Sequence, residues 1–220
     1  MKNLIKNIDL KLLFTILGLI IYEAVIFFLT KPFIQNPYII GSALDNKIPF
    51  VANFVWIYIA WYLMLVFVPY YIYLKNKSSF FKYMATFIIT TIIAGIIFVA
   101  FPNTVVRATI NSTDIASSIV KIIYTLDSPG INCFPSIHCL YSFLFIFAIF
   151  DTKQNSSVLP KVIISVLSIL VVLSTLFIKQ HVIYDALISL VIGLIVWIIV
   201  DIFKLYTYTE KIYNKFKIKF

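Results

Sequence analysis

Residues 161–203 are a run of 43 residues with no proline and one glycine, Gly193, in which most positions are apolar. As one continuous helix, rising about 1.5 Å per residue, the run would be roughly 65 Å long, twice the roughly 30 Å hydrocarbon core of a bilayer. It therefore has to reverse. The polar cluster near its middle, Lys179-Gln180-His181, marks the bend between two spans.

The rest of the chain repeats this pattern. Apolar runs at 12–30, 50–74, 83–101 and 137–150 precede the two halves of 161–203, and the mean hydropathy is +1.01. With 62% hydrophobic and 12% charged residues in 220, no sizeable soluble domain fits beside them. The expected fold is an all-α integral membrane protein, a single domain over 1–220 with six transmembrane helices. The first run is too long for a signal-peptide core and reads as an uncleaved anchor. Residues 75–82 read as a basic loop, 103–135 as a long polar segment and 151–161 as a polar loop, and Pro69 is placed to kink the second span. Within 113–126, Ile115, Ile119, Ile122, Ile123 and Leu126 recur at helical spacing around Ser117, Ser118 and Lys121, which suits a helix lying in a membrane interface or a plain connecting helix.

Six spans sort the basic residues by side. Lys2, Lys6, Lys11, Lys75, Lys77, Lys82, Lys153, Lys161, Lys204, Lys211, Lys215, Lys217 and Lys219 fall on one side, and Lys31, Lys47, Arg107, Lys121 and Lys179 on the other. This split of 13 to 5 places both termini in the cytoplasm by the positive-inside rule. The net charge of +9 is then a topology signal on anionic headgroups, and no nucleic-acid partner is needed to explain it.

That topology puts three polar islands, around Arg107, His138 and His181, on the non-cytoplasmic side, where they converge on one pocket. The chain has only two histidines and one arginine, and all three are in these islands. Phosphoryl transfer needs a nucleophile, an acid for the leaving oxygen and fixed positive charge on the equatorial oxygens. Imidazole serves either of the first two roles, and guanidinium is the group least replaceable for bidentate phosphate binding. With a helix starting near His181, Asp185 lies one turn on and holds the imidazole's other nitrogen. A helix-surface pair is the plainer alternative for His181 and Asp185, packing for Ser136 and Ser174, and zinc binding for the two histidines and the carboxylate ranks well behind. Glu23 in the first span either lines the pocket or pairs with a polar neighbour. Cys133 and Cys139 read as free thiols, and Trp56, Trp61 and Trp197 as bilayer or packing aromatics.

Asn132-Cys133-Phe134-Pro135-Ser136-Ile137-His138 and the stretch from Ser174 to Asp185, STLFIKQHVIYD, resemble the second and third signature motifs of the type-2 phosphatidic acid phosphatase family. That family holds membrane lipid phosphatases and is related to acid phosphatases and vanadium haloperoxidases. FPNTVVRATI, from Phe101, is similar to its weaker first motif. The chain departs from the pattern at Ala100, where the family has lysine, at Ala108, where it has proline, and at Thr175, where it has arginine, while Lys179 stands two residues before the histidine. This variant looks like the branch related to inositol-phosphorylceramide synthases.

The resemblance implies a catalytic core over about 84–203 that works without a metal or cofactor. It implies that His181 attacks phosphorus to give a phosphohistidine, and that His138 protonates the leaving alcohol and then activates water. Arg107, Ser136 and Ser174 would bind phosphate, and Lys179 would replace the cation lost at Thr175. Phosphatidic acid, phosphatidylglycerol phosphate and undecaprenyl diphosphate are the candidate substrates, acted on at the outer face of the plasma membrane. Richness in lysine, isoleucine and asparagine points to an AT-rich bacterial genome. A head-group transferase using an alcohol acceptor, and a non-catalytic transporter or scaffold, are the alternatives.

Overall fold

The computed structural model describes residues 9–152 and 157–215. Of the basic residues counted above, Lys2, Lys6, Lys153, Lys217 and Lys219 lie outside them. The helices are α1 (Leu10–Thr30), α2 (Val55–Lys75), α3 (Lys77–Ala100), α4 (Ile115–Leu126), α5 (Ile137–Asp151), α6 (Val158–Phe177), α7 (Ile183–Ile202) and α8 (Tyr206–Lys215). Among the described residues, five segments are long and apolar enough to cross a membrane: Leu10–Phe33, Ala52–Lys75, Lys77–Ala100, Val158–Phe177 and Ile183–Ile202. The expected fourth span, α5, has 15 residues and is about 22 Å long, short of the roughly 30 Å core. Large apolar side chains such as Ile21, Phe28, Leu63 and Phe67 point outward from α1 and α2. Against lipid this costs nothing, and burial inside the bundle instead follows packing and hydrogen bonding between helices. One such bond joins the Thr91 and Tyr141 hydroxyls of α3 and α5 at 2.7 Å.

The loop expected at 75–82 does not form. Asn76 alone separates α2 from α3: its N–H closes α2 on the Ile72 carbonyl, and its side chain caps α3 by accepting from Ser79 N at 3.2 Å. Lys82 is consequently buried. Its ammonium meets Asp151 of α5 at 3.2 Å and Asp201 of α7 at 2.8 Å, and lies 4.6 Å from the Trp197 ring, while the Ser79 hydroxyl donates to Asp151. One lysine thus ties three helices at the end opposite the histidines. Lys82→Met is expected to cost about 2 kcal/mol, less than the roughly 3–5 kcal/mol for a fully buried pair because Asp201 reaches solvent. A lowered Tm in detergent checks this, and an unchanged Tm would assign the pairing no net value.

The pairing of two short strands carries no sequence signal. The parallel two-stranded pairing of β1 (Tyr38–Ile40) with β2 (Asn103–Val105) fixes the start of the Arg107 segment. The basic tail forms α8, which docks by donating from the Thr209 hydroxyl to the Phe81 carbonyl and from the Tyr213 hydroxyl to the Tyr73 hydroxyl. Helix α2 continues through Pro69. The 113–126 helix is α4, capped by Asp114, whose carboxyl is held down to about 2 by hydrogen bonds from Ser112 and Ser117. Ala116, Ser117 and Val120 face the protein, while Ile115, Ile122 and Leu126 of the predicted apolar stripe face outward.

Candidate active site

The reversal falls at the predicted place. Helix α6 ends at Phe177, Lys179 adopts a left-handed φ of 54°, and the N–H groups of Gln180 and His181 both donate to the Thr175 carbonyl, at 2.9 and 3.2 Å. Helix α7 begins at Ile183, two residues later than the reading above requires, so His181 and Asp185 do not form an ordinary helical rung. Instead the fully buried Asp185 folds back over the helix start. Its Oδ2 accepts from Val182 N at 3.0 Å and lies 3.1 Å from His181 Nδ1. An ionised carboxylate can only accept, so it assigns the ring proton to Nδ1 and leaves Nε2 with its lone pair for a substrate. A second carboxylate, Asp45, caps the same helix by accepting from Ile183 N at 2.8 Å.

His138 is the second residue of α5, whose N-cap is Ser136, with Oγ accepting from Cys139 N at 3.2 Å. Tyr58 and Trp61 of α2 hold its ring at centroid distances of 4.5 and 4.1 Å. Trp61 is a packing aromatic, as expected from the sequence, and the ring it packs against is that of His138. His138 Nε2 is buried with no hydrogen-bond partner among the described residues, and the His181 ring lies 5.9 Å away.

Arg107 arrives from β2. The fully buried Asn103 locks that strand to the second motif by accepting from Cys133 N at 2.9 Å and Phe134 N at 2.8 Å and donating to the carbonyls of Phe101 and Phe134. Asn103→Leu would orphan two buried N–H groups and is expected to cost about 2–4 kcal/mol, read as a drop in Tm. The Arg107 guanidinium stacks 4.7 Å from the Tyr124 ring and donates to the Tyr124 carbonyl, Asp127 and Gln180 Oε1, leaving Nε unpartnered. Gly130 makes room for it: at φ 76° an added Cβ would sit 2.9 Å from Arg107 Cζ. Gln180, which sequence reasoning passed over, is held by Arg107 through its oxygen and has a free buried amide nitrogen beside His181. Its position inside the third motif was the available signal.

The other candidate phosphate ligands differ in placement. Ser174 is fully buried in α6 with its hydroxyl on the Val171 carbonyl, and Ser136 is equally buried as the α5 cap. Thr175 is buried too, donating to Val172 O and lying 3.6 Å from Cys139 Sγ. Lys179 directs two of its three N–H donors at the carbonyls of Asp45 (2.8 Å) and Ile48 (2.5 Å), clamping the 45–48 turn onto the bend.

Two cavities meet at His181. A cleft of about 530 Å³, polar through its charged residues, is lined by Ser42, Asp45, Arg107, Lys179 and His181 together with apolar side chains such as Ile40, Val106 and Leu176. A mainly apolar cavity of about 330 Å³ between α1, α2 and α4 is lined by Glu23, Tyr62, Asn132, His138 and His181, among others. Among the described residues, no group of three or more His, Cys, Asp or Glu side chains is placed to hold a metal ion. Cys133 and Cys139 are free and buried, and burial pushes the Cys133 thiol well up. In folded protein both are expected to resist a maleimide and to label only on denaturation; rapid labelling of Cys133 would contradict this burial.

No curated protein and no solved structure matches the chain. The profile of the PAP2 superfamily matches residues 78–208, well over half of the chain, a span that contains Arg107 and both histidine motifs. On that match the chain belongs to the PAP2 superfamily, whose members act on phosphate esters.

Proposed function

We propose that the chain is a membrane lipid phosphatase that hydrolyses a phosphate or diphosphate monoester of a lipid at the outer leaflet. The observation that carries this reading is the His181–Asp185 pair at 3.1 Å facing the His138 ring at 5.9 Å. In the first step His181 Nε2 attacks phosphorus, an N–P bond forms, the P–O bond to the lipid breaks, and His138 gives its proton to the departing oxygen. In the second, His138 takes a proton from water as the water oxygen attacks phosphorus, the N–P bond breaks and phosphate leaves. Asp185 keeps the Nδ1 proton and stabilises the charge on the ring throughout. Arg107, the third N–H of Lys179 and the free amide of Gln180 hold the phosphoryl oxygens, with Ser136 and Ser174 supporting the turns that carry them. The lipid lies in the apolar cavity beside His138.

Phosphatidic acid, phosphatidylglycerol phosphate and undecaprenyl diphosphate remain the candidate lipids. Purified protein releasing free phosphate from one of them, with inhibition by vanadate as a mimic of pentacoordinate phosphorus, tests the reading; a panel with no release would overturn it. The polar cleft favours a second reading, because its roughly 530 Å³ exceeds what a water needs and admits an alcohol acceptor. Transfer of the phosphoryl group to a polyol instead of water would establish it.

The site's orientation belongs to the same proposal. With α5 as a sixth crossing and the basic residues sorted as above, the histidines face outward and both termini are cytoplasmic. In intact cells a cysteine at Ser112, exposed beside α4, is expected to react with an impermeant thiol reagent, and one at the exposed Lys77 is not. The reverse pattern would invert the topology.

A further inference from the structure

Glu23 is the one acidic residue of α1, and no hydrogen bond or ion pair reaches it among the described residues. It lines the apolar cavity together with His138 and His181. The other carboxylate there, Asp127, is matched by two cations, Lys31 at 3.2 Å and Arg107. One turn beyond Glu23, the Phe27 carbonyl and the Thr30 hydroxyl hold the Asn132 amide nitrogen, both at 3.0 Å, while Asn132 Oδ1 is buried with no partner. Glu23 and Asn132 Oδ1, on the α1 side of the cavity, are therefore two acceptors that carry no hydrogen bond among the described residues, although the Tyr58 and Tyr62 hydroxyls and the Gln180 amide line the same cavity. Ionisable groups that persist within a span face interior cavities and mark substrate paths, because in hydrocarbon they are costly. A carboxylate in such a place calls for a donor that arrives with the ligand.

We infer that Glu23 accepts a hydrogen bond from a hydroxyl or ammonium group on the lipid, so that the substrate class is a lipid phosphate carrying such a donor beside its phosphoester. The inference rests on the reading that the leaving lipid occupies the cavity next to His138. A lipid esterified at the neighbouring carbon, or a polyprenyl chain, presents only acceptors or hydrocarbon to Glu23. Such a lipid is rejected because it leaves the carboxylate unpaired, a stronger discrimination than pocket size provides. Of the three candidate lipids, phosphatidylglycerol phosphate alone carries a free hydroxyl in that position.

The test compares 1-oleoyl lysophosphatidic acid with its 2-O-methyl ether, two lipids that differ in that donor, using the full chain in nanodiscs. The wild type is expected to favour the free hydroxyl by about tenfold or more in kcat/KM. Glu23→Leu, an apolar change suited to a span, should bring the ratio near one. Glu23→Gln, which keeps an acceptor oxygen, should retain part of the preference. Binding of the non-hydrolysable phosphonate analogues, read as Kd, repeats the comparison without turnover. Discrimination in Kd that depends on Glu23, with no phosphate released from any lipid, would overturn the phosphatase reading and leave this assignment standing. Equal Kd values for the two analogues, or a ratio untouched by Glu23→Leu and Glu23→Gln alike, would overturn the assignment itself.

Discussion

His181→Ala is expected to remove phosphate release altogether, and Asp185→Asn to lower kcat by about three orders of magnitude, an increase of roughly 4 kcal/mol in the barrier. The two effects have separate causes. Without the imidazole there is no atom to form the N–P bond. Without the carboxylate the ring is present, but Asp185 Oδ2 no longer fixes the proton on Nδ1 at 3.1 Å, nor offsets the charge that the ring gains on attack. The amide at 185 still offers an oxygen to Val182 N, so the cap on α7 is kept and a folding defect is not the expected source of the loss. Measured kcat for both variants, alongside their Tm values, separates chemistry from stability. Activity near the wild-type level in His181→Ala would remove the nucleophile from the account.

Arg107→Lys carries the second large effect: a fall of about 100-fold in kcat/KM, near 2.7 kcal/mol of transition-state stabilisation. A lysine keeps the charge but cannot stack on Tyr124 while donating to the Tyr124 carbonyl, Asp127 and Gln180 together. Gln180 then loses the contact that orients its amide, and the phosphoryl oxygens lose a donor as well as the guanidinium. Lys179→Ala, by contrast, removes one cation from the cleft and also the tie from the bend to the Asp45 and Ile48 carbonyls, so its loss of kcat/KM should come with a lowered Tm. A kinetic parity between Arg107→Lys and wild type would mean that the guanidinium serves the fold alone.

The sequence made the reversal at 179–181 readable because bilayer thickness limits span length, and the polar cluster there lies near the middle of a mostly apolar run of 43 residues. The meeting of His138 with His181, their rings 5.9 Å apart, agrees with the expected alternation of spans, which puts both at one end of the bundle. Local signals could not supply the start of α7. His181 stays outside that helix because Asp185 and Asp45 both cap it, and Asp45 is 138 residues away from Ile183. Lys82 misled in the same way. Seen locally it is one more lysine in a basic stretch, and its burial depends on Asp151, 69 residues on, and on Asp201. The roles of Trp61, Gln180 and Glu23 likewise depend on which side chains they meet across the bundle. Strands of three residues such as β1 and β2 are too short for periodicity to reveal.

The most direct measurement is a rapid quench of the purified protein with a ³²P-labelled lipid phosphate. The account predicts protein-bound label that is acid-labile and stable to base, and that is absent from His181→Ala. Steady phosphate release by wild type with no labelled protein at any time, or label that persists in His181→Ala, would contradict it.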